Sequence, residues 1–162
     1  MPKQVKLYIV RHADAGNRSA WAGDDEQRPL SRKGRRQAAG LVDVFAGRPV
    51  TRLVASPSLR CIETLGPVAA RLGLTVETDH RLAEGSRGDD ALAVADELAR
   101  LDDVGVLCSH GDVIPDLLSE LKVQGTQFHH DLTWPKASAW VLSRKGRAWT
   151  DADFVPAPSS AR

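Results

Sequence analysis

Apolar and polar positions along the chain follow two rhythms, short strand-like runs and longer stretches with helical spacing. Residues 5–10, 52–55, 75–77 and 104–109 are the strand-like runs, each carrying β-branched side chains. Ala38, Leu41, Val42 and Phe45 fall at i, i+3, i+4 and i+7 and leave Arg35, Arg36 and Asp43 outside, which predicts a helix starting near Ser31. A second helix is expected after Ser56-Pro57, with the serine as cap and the proline at the first helical position. It carries Cys61, Leu65, Val68, Ala69 and Leu72 inward, and Gly66-Pro67 is expected to kink it. A third helix spans residues 89–101. A fourth starts near Asp112, with Pro115 in its first turn and Ile114, Leu117, Leu118 and Leu121 on one face; aspartate is expected to cap both. Residues 137–142 and 148–154 read as two last strands around a turn at 143–147, an antiparallel hairpin. Strands alternating with helices predict an α/β fold of three layers, a mostly parallel central sheet flanked by helices.

Composition narrows this picture without changing it. The 162 residues suffice for one sizeable core and show no shift that would mark a second unit, so residues 1–155 are expected to form a single domain and 156–162 a flexible tail. With 42% hydrophobic and 27% charged residues the chain has the balance of an ordinary globular protein, which excludes a disordered or fibrous one. No apolar run approaches the roughly 20 residues needed to cross a bilayer, and the run at 5–10 is too short for a signal-peptide core. The expectation is a cytoplasmic protein with no membrane partner. Cys61 and Cys108 form no C-x-x-C pair and are expected to be reduced. A net charge of +1 gives no broad field for holding nucleic acid, so any anion site has to be built locally.

Four polar residues are brought to one edge of this framework. Arg11 and His12 follow the first strand, Arg60 follows the second, and His110 follows the 104–109 strand. In open α/β sheets ligands bind in the crevice outside the carboxyl ends of the strands. Guanidinium forks bind phosphate oxygens bidentately and a neutral imidazole supplies a nucleophilic nitrogen, so the cluster suits a phosphoryl group. The start of the fourth helix, directly after His110-Gly111, adds backbone N–H groups and a positive dipole end. Glu84, in the segment after the third strand, is placed to protonate a leaving oxygen and later to activate water.

Each of these residues also has a bland reading. An isolated Arg-His pair is more often a surface accident, His110 alone reads as a helix-capping histidine, and a loop glutamate is usually just solvated. Their common edge favours chemistry. The run Arg32-Lys33-Gly34-Arg35-Arg36 reads as a solvated helix face rather than a nucleic-acid patch, with its cations steering phosphorylated substrates. His80 and the pair His129-His130 lack metal-ligand spacing and are expected on the surface or rim. Trp134 and Lys136 are second-tier candidates for the pocket rim. The polar stretch 17–29 is long enough to be a functional loop beside the site.

These residues carry a resemblance. Tyr8-Ile9-Val10-Arg11-His12-Ala13 resembles the R-H-G signature of the histidine phosphatase (phosphoglycerate mutase-like) superfamily, with alanine in the third position where the family has glycine. Arg28-Pro29-Leu30-Ser31-x-x-Gly34-x-x-Gln37-Ala38 is similar to the family's R-P-L-T-x-x-G-x-x-Q-A helix start. Ser56-Pro57-x-x-Arg60-x-x-x-Thr64 resembles its second-arginine motif and Ser109-His110-Gly111 its second histidine. The resemblance implies that His12 becomes phosphohistidine, that Arg11, Arg60 and His110 bind the phosphate, and that Glu84 is the proton donor, with no metal and no cofactor.

Only residues 85–88 separate Glu84 from the next helical pattern, which leaves no room for the longer insertion that encloses the substrate in mutases of the superfamily. An open site favours hydrolysis over retransfer. The chain is similar to the small bacterial phosphohistidine phosphatases of the SixA type. Through Gly23-Asp24-Asp25 and Val113-Ile114-Pro115-Asp116-Leu117 it also resembles the phosphatase half of certain bacterial two-domain Nudix hydrolases. The expected substrate is therefore a phosphorylated protein or a small phosphorylated molecule, nucleotides included. A phosphate-binding docking domain without turnover is the alternative, and the intact His12, Arg60, His110 and Glu84 set argues against it.

Overall fold

The computed structural model describes residues 5–159. Strands β1 (Val5–Arg11), β2 (Arg52–Ala55), β3 (Val76–Thr78) and β4 (Gly105–Ser109) pair in parallel. Beyond β1 come β6 (Ala139–Lys145), β7 (Ala148–Val155) and the two-residue β5 (Gln127–Phe128), giving the order β3-β2-β4-β1-β6-β7-β5. Only β6 runs against the others, so the sheet is mostly parallel, as expected.

Strand alternation decides the three layers, because successive side chains on a strand face opposite ways. Leu7, Ile9, Val54, Leu107, Trp140 and Leu142 belong to one buried cluster together with helices α3 (Gly88–Arg100) and α4 (Val113–Val123). Their chain neighbours Tyr8, Val10, Leu53, Ala55, Val106, Cys108, Ala139 and Val141 belong to a second cluster, with helices α1 (Arg32–Phe45) and α2 (Leu59–Leu72). Both faces of the central strands are covered, which is why those strands read as continuous apolar runs.

Local chemistry moves several boundaries. Ser31 caps α1 as expected, its hydroxyl oxygen accepting the Gly34 N–H at 3.0 Å. Helix α2 begins two residues later than Ser56-Pro57 predicts: Ser58 is its N-cap, and the Ser56 hydroxyl is turned to other partners. The aspartate caps expected for the last two helices are not made. Arg87 occupies the cap of α3, whose Gly88 N–H donates instead to Asp116 on α4, and Asp112 caps α4 in position only because its carboxylate accepts the Gly85 N–H. The last hairpin turns on Gly146-Arg147 alone, since Gly146 at φ 62° supplies the left-handed conformation that a two-residue turn needs.

A third, smaller cluster of Ala13, Ala15, Leu30, Ala38 and Ala137 lies under the loops that follow β1 and precede α1 and β6. The expected flexible tail is anchored in its first half. Ala157 packs on this cluster and Pro158 lies where a Cβ on Gly40 would stand, while residues 160–162 lie outside the described residues. Among the described residues no helix is long and apolar enough to cross a membrane.

Candidate active site

His12 leaves the carboxyl end of β1 and is fixed by the sheet itself. Its backbone N–H donates to the Ser109 carbonyl at the end of β4 at 3.0 Å, and the preceding Arg11 carbonyl accepts the Ala137 N–H. The Nδ1–H of its ring donates to the Ala13 carbonyl at 2.8 Å, which leaves the Nε2 lone pair unprotonated. His12 is 7% exposed, and burial is the chief reason its pKa is lowered to about 3. The Ala13 hydrogen bond opposes the shift, and His110, Arg60 and Arg11 nearby reinforce it. The imidazole is therefore neutral throughout the physiological range.

Arg11 arches over Gly111. A Cβ on that glycine would stand 2.7 Å from the guanidinium, so only glycine lets the arginine lie there. One Arg11 NH group donates to the Trp134 carbonyl at 3.1 Å, and its Nε is buried with no partner. His110 follows β4, with its ring centroid 5.3 Å from that of His12. The Ser56 hydroxyl lies 2.8 Å from His110 Nε2 and accepts the Ser58 N–H. Cys61 Sγ lies 3.6 Å from the same nitrogen, while His110 Nδ1 is buried and unpartnered.

Arg60 is fully buried. Its guanidinium donates to the Asp25 carbonyl at 2.8 Å, to the Asp25 carboxylate at 3.1 Å and to Glu84 at 3.2 Å. The other Glu84 oxygen accepts from Arg18 at 2.6 Å. The loop 17–29 thus lies beside the site as expected, and Arg18, Asp25 and Arg28 from it are site residues that pattern reading missed. Asp25 and Arg28 fall within the segments Gly23-Asp24-Asp25 and Arg28-Pro29-Leu30-Ser31 that carry the family likeness, but their place at the site is set by the fold of the loop. Asp25 alone faces the guanidinium groups of Arg18, Arg28 and Arg60.

The R-P-L-S-x-x-G-x-x-Q-A segment holds the loop that carries His12. Ser31 donates its N–H to the Asp14 carbonyl and its hydroxyl to the Asp14 carboxylate, at 2.9 and 2.6 Å, and Gln37 accepts the Asp14 N–H at 2.9 Å. Gly34 lets α1 approach so closely that a Cβ there would fall 1.9 Å from the Asp14 carbonyl oxygen. Gly34→Ala is therefore expected to cost about 3 kcal/mol, roughly 10 °C in Tm, checked by thermal denaturation, and to lower activity as the loop is displaced. Thr64 ties the same loop to α2: it accepts the Ala13 N–H at 2.9 Å and donates to the Arg60 carbonyl at 2.6 Å. The Ala13 methyl that replaces the signature glycine is buried in the small third cluster, so it does not crowd an anion beside His12.

An open cleft of about 530 Å³ is lined by Arg11, His12, Arg18, Glu84, His110 and Lys136, among others. Arg60 does not reach its wall. Lys136, the second-tier candidate, lines the cleft and pairs with Asp14 at 3.2 Å, whereas Trp134 packs against the core and offers only its carbonyl. Exposed His129 pairs with Asp151, and His130 stacks on Phe154; neither lines the cleft, nor does His80 or any residue of the basic run 32–36. Among the described residues no group of three or more His, Cys, Asp or Glu side chains gathers as a metal would require.

Fold and cleft together define an α/β domain with a cleft lined by arginine, histidine and lysine side chains at the carboxyl edge of its sheet. The sequence matches the histidine phosphatase superfamily (branch 1) over residues 7–100, more than half of its length, and the chain belongs to that family of phosphatases. It is 34% identical over 156 residues to an 8-oxo-(d)GTP phosphatase of Mycolicibacterium smegmatis, covering 94% of this chain and 48% of that protein. The chain spans about half the length of the curated relatives it matches. Its fold is shared by a SixA structure from Nakamurella multipartitia, at TM-score 0.77 and 22% identity over the whole of both chains. A protein histidine phosphatase SixA complexed with tungstate aligns at TM-score 0.75 and 21% identity over 96% of this chain and 97% of that one.

Proposed function

We propose that the chain hydrolyses phosphomonoesters or phosphoramidates through a phosphohistidine on His12. One observation carries the reading: Arg11 Nε, Arg60 Nε and His110 Nδ1, on three residues around a neutral His12, are buried without any hydrogen-bond partner. Buried polar groups are rarely left so, and a phosphoryl group is the ligand that would accept from all three. In the proposed first step the His12 Nε2 lone pair attacks phosphorus, the bond to the leaving group breaks, and Glu84 gives that group its proton. In the second, Glu84 takes a proton from water, the water oxygen attacks phosphorus, and the N–P bond breaks to regenerate His12 and release phosphate. Arg11, Arg60 and His110 hold the three peripheral oxygens in both steps.

A phosphohistidine on a protein is the substrate reading we favour, because α3 begins at Gly88, four residues after Glu84, and leaves the cleft mouth open to a macromolecular surface. The relative from Mycolicibacterium smegmatis favours a second reading, a nucleotide-derived substrate. Action in the cytoplasm fits the free, buried Cys61 and Cys108. The test is acid-quenched turnover with a phosphohistidine protein, nucleotides and sugar phosphates at fixed enzyme concentration. The expected result is acid-labile phosphate on His12 with every substrate turned over, and the fastest formation with the phosphoprotein. Turnover with no phosphoenzyme at any time would overturn the mechanism; preference for nucleotides would transfer the substrate to the second reading.

A further inference from the structure

Arg60 presents a conflict that the proposed chemistry has to resolve. Its side chain is 1% exposed, and both its terminal nitrogens are already engaged by protein acceptors, two of them supplied by Asp25. The Asp25 carboxylate sits among Arg60, Arg28 and Arg18 at 3.1, 3.1 and 3.3 Å. Two oxygens of one anion shared among three guanidinium groups is the arrangement a phosphoryl group would itself adopt. Asp25 is also well placed to leave. It stands in a single 3-10 turn, Asp25–Gln27, within the polar loop, and its side chain is 34% exposed. Burial pushes its carboxyl pKa up, but the Arg28 hydrogen bond and the charges of Arg60 and Arg18 outweigh this and hold it below the usual range, so it is an anion at any working pH.

We propose that Asp25 is a built-in competitor for the phosphoryl group, a specificity-determining residue whose carboxylate occupies Arg60 until a substrate displaces it. The proposal rests on the reading of Arg60 as a phosphate ligand. An anion that contacts Arg60 alone gains nothing by exchanging with Asp25. A phosphoryl group that also meets His12, Arg11 and the His110 Nδ1 gains the contacts those groups lack, and it alone makes the exchange favourable. After hydrolysis the returning carboxylate competes with inorganic phosphate and hastens its release. A residue that merely positions Arg60 predicts the reverse: its loss would leave the guanidinium less well aimed and phosphate more weakly held.

The experiment measures inorganic phosphate binding by isothermal titration, which needs no turnover, for wild type, Asp25→Asn, Asp25→Ala, Arg60→Lys and the double variant Asp25→Asn/Arg60→Lys. Asparagine keeps an acceptor for Arg28 and the backbone carbonyl for Arg60 but removes the competing charge. Both Asp25 variants are expected to bind phosphate about tenfold tighter, a change the size of one charge-assisted hydrogen bond, and to show matching stronger product inhibition. Arg60→Lys is expected to bind it several-fold more weakly, and the Asp25→Asn gain is expected to vanish in the double variant. Equal or weaker binding by both Asp25 variants, with Arg60→Lys weakened, would overturn the competitor role and leave Asp25 a positioning residue. Wild-type affinity in Arg60→Lys would instead overturn the assignment of Arg60 to the phosphate.

Discussion

Replacing His12 with alanine is expected to lower turnover by roughly four orders of magnitude or more, because the covalent route through its Nε2 is lost. His110 does not substitute for it, since its Nε2 is engaged by Ser56 and Cys61. Mass spectrometry of quenched wild type should place the labile phosphate on His12, and the His12→Ala protein should carry none while still binding inorganic phosphate. Near wild-type turnover in the variant would dismiss the assignment. The buried ring adds a second expectation. With its pKa lowered to about 3, His12 stays nucleophilic well below pH 6.5, so its protonation should not limit phosphoenzyme formation until the solution is strongly acidic. The same shift links to stability: the unfolded chain takes up a proton near pH 6.5 that the folded protein refuses. Stability is thus full above that value and is lost as pH falls from 6.5 towards 3.

Glu84→Gln is expected to separate leaving-group departure from phosphate binding. Glutamine keeps the size and one acceptor for Arg18 or Arg60 but cannot give up a proton. The penalty on phosphoenzyme formation should therefore grow with the pKa of the leaving group: roughly 10²–10⁴-fold for an alkyl phosphate and little for p-nitrophenyl phosphate, whose leaving group departs without protonation. Arg60→Ala should instead damage every substrate alike, since its contact is made to the phosphoryl group itself. Single-turnover phosphoenzyme formation with both substrates reads the difference. Equal losses for Glu84→Gln across leaving groups would remove Glu84 as the acid. Asp112, which lines the same cleft, would then be the carboxylate to test, ahead of Asp89, which is paired with Arg87.

The parts of the site that stand directly after strands were legible in the sequence because strand ends are marked by apolar runs, and parallel strands carry their following residues to one edge. Arg11, His12 and His110 are of this kind. Arg60 was legible as a residue near the site but not as one sealed behind Asp25, since nothing in the spacing of 17–29 shows how a polar loop folds back. Its two 3-10 turns are set by Asn17 and Asp24 accepting backbone N–H groups, and its path by ion pairs with residues some 35 to 66 positions away. The aspartate caps failed for a related reason: Asp112 is drawn to the Gly85 N–H of the neighbouring loop, and Asp89 falls inside α3, whose first N–H is taken by Asp116 of α4, tertiary choices that local preference does not encode. Strand β5 is two residues long, too short for any periodicity to register.

The order of the sheet also governs when this protein becomes an enzyme. Among the described strands β1 is made first, yet its two neighbours are β4 and β6, so it finds no partner in the sheet until more than ninety further residues have followed it. Strands β1 and β2 never touch; β4 is the wedge between them. A chain growing from its N-terminus therefore holds two apolar faces without a sheet to join them, and His12 and Arg60 have no fixed relation until β4 arrives. Distant pairings of this kind slow folding and keep apolar surface exposed while it proceeds. The segment that bears His12 is thus synthesised ahead of the strand that locks it, and a fragment of this domain that ends before residue 105 has nothing to hold His12 and Arg60 in their observed relation.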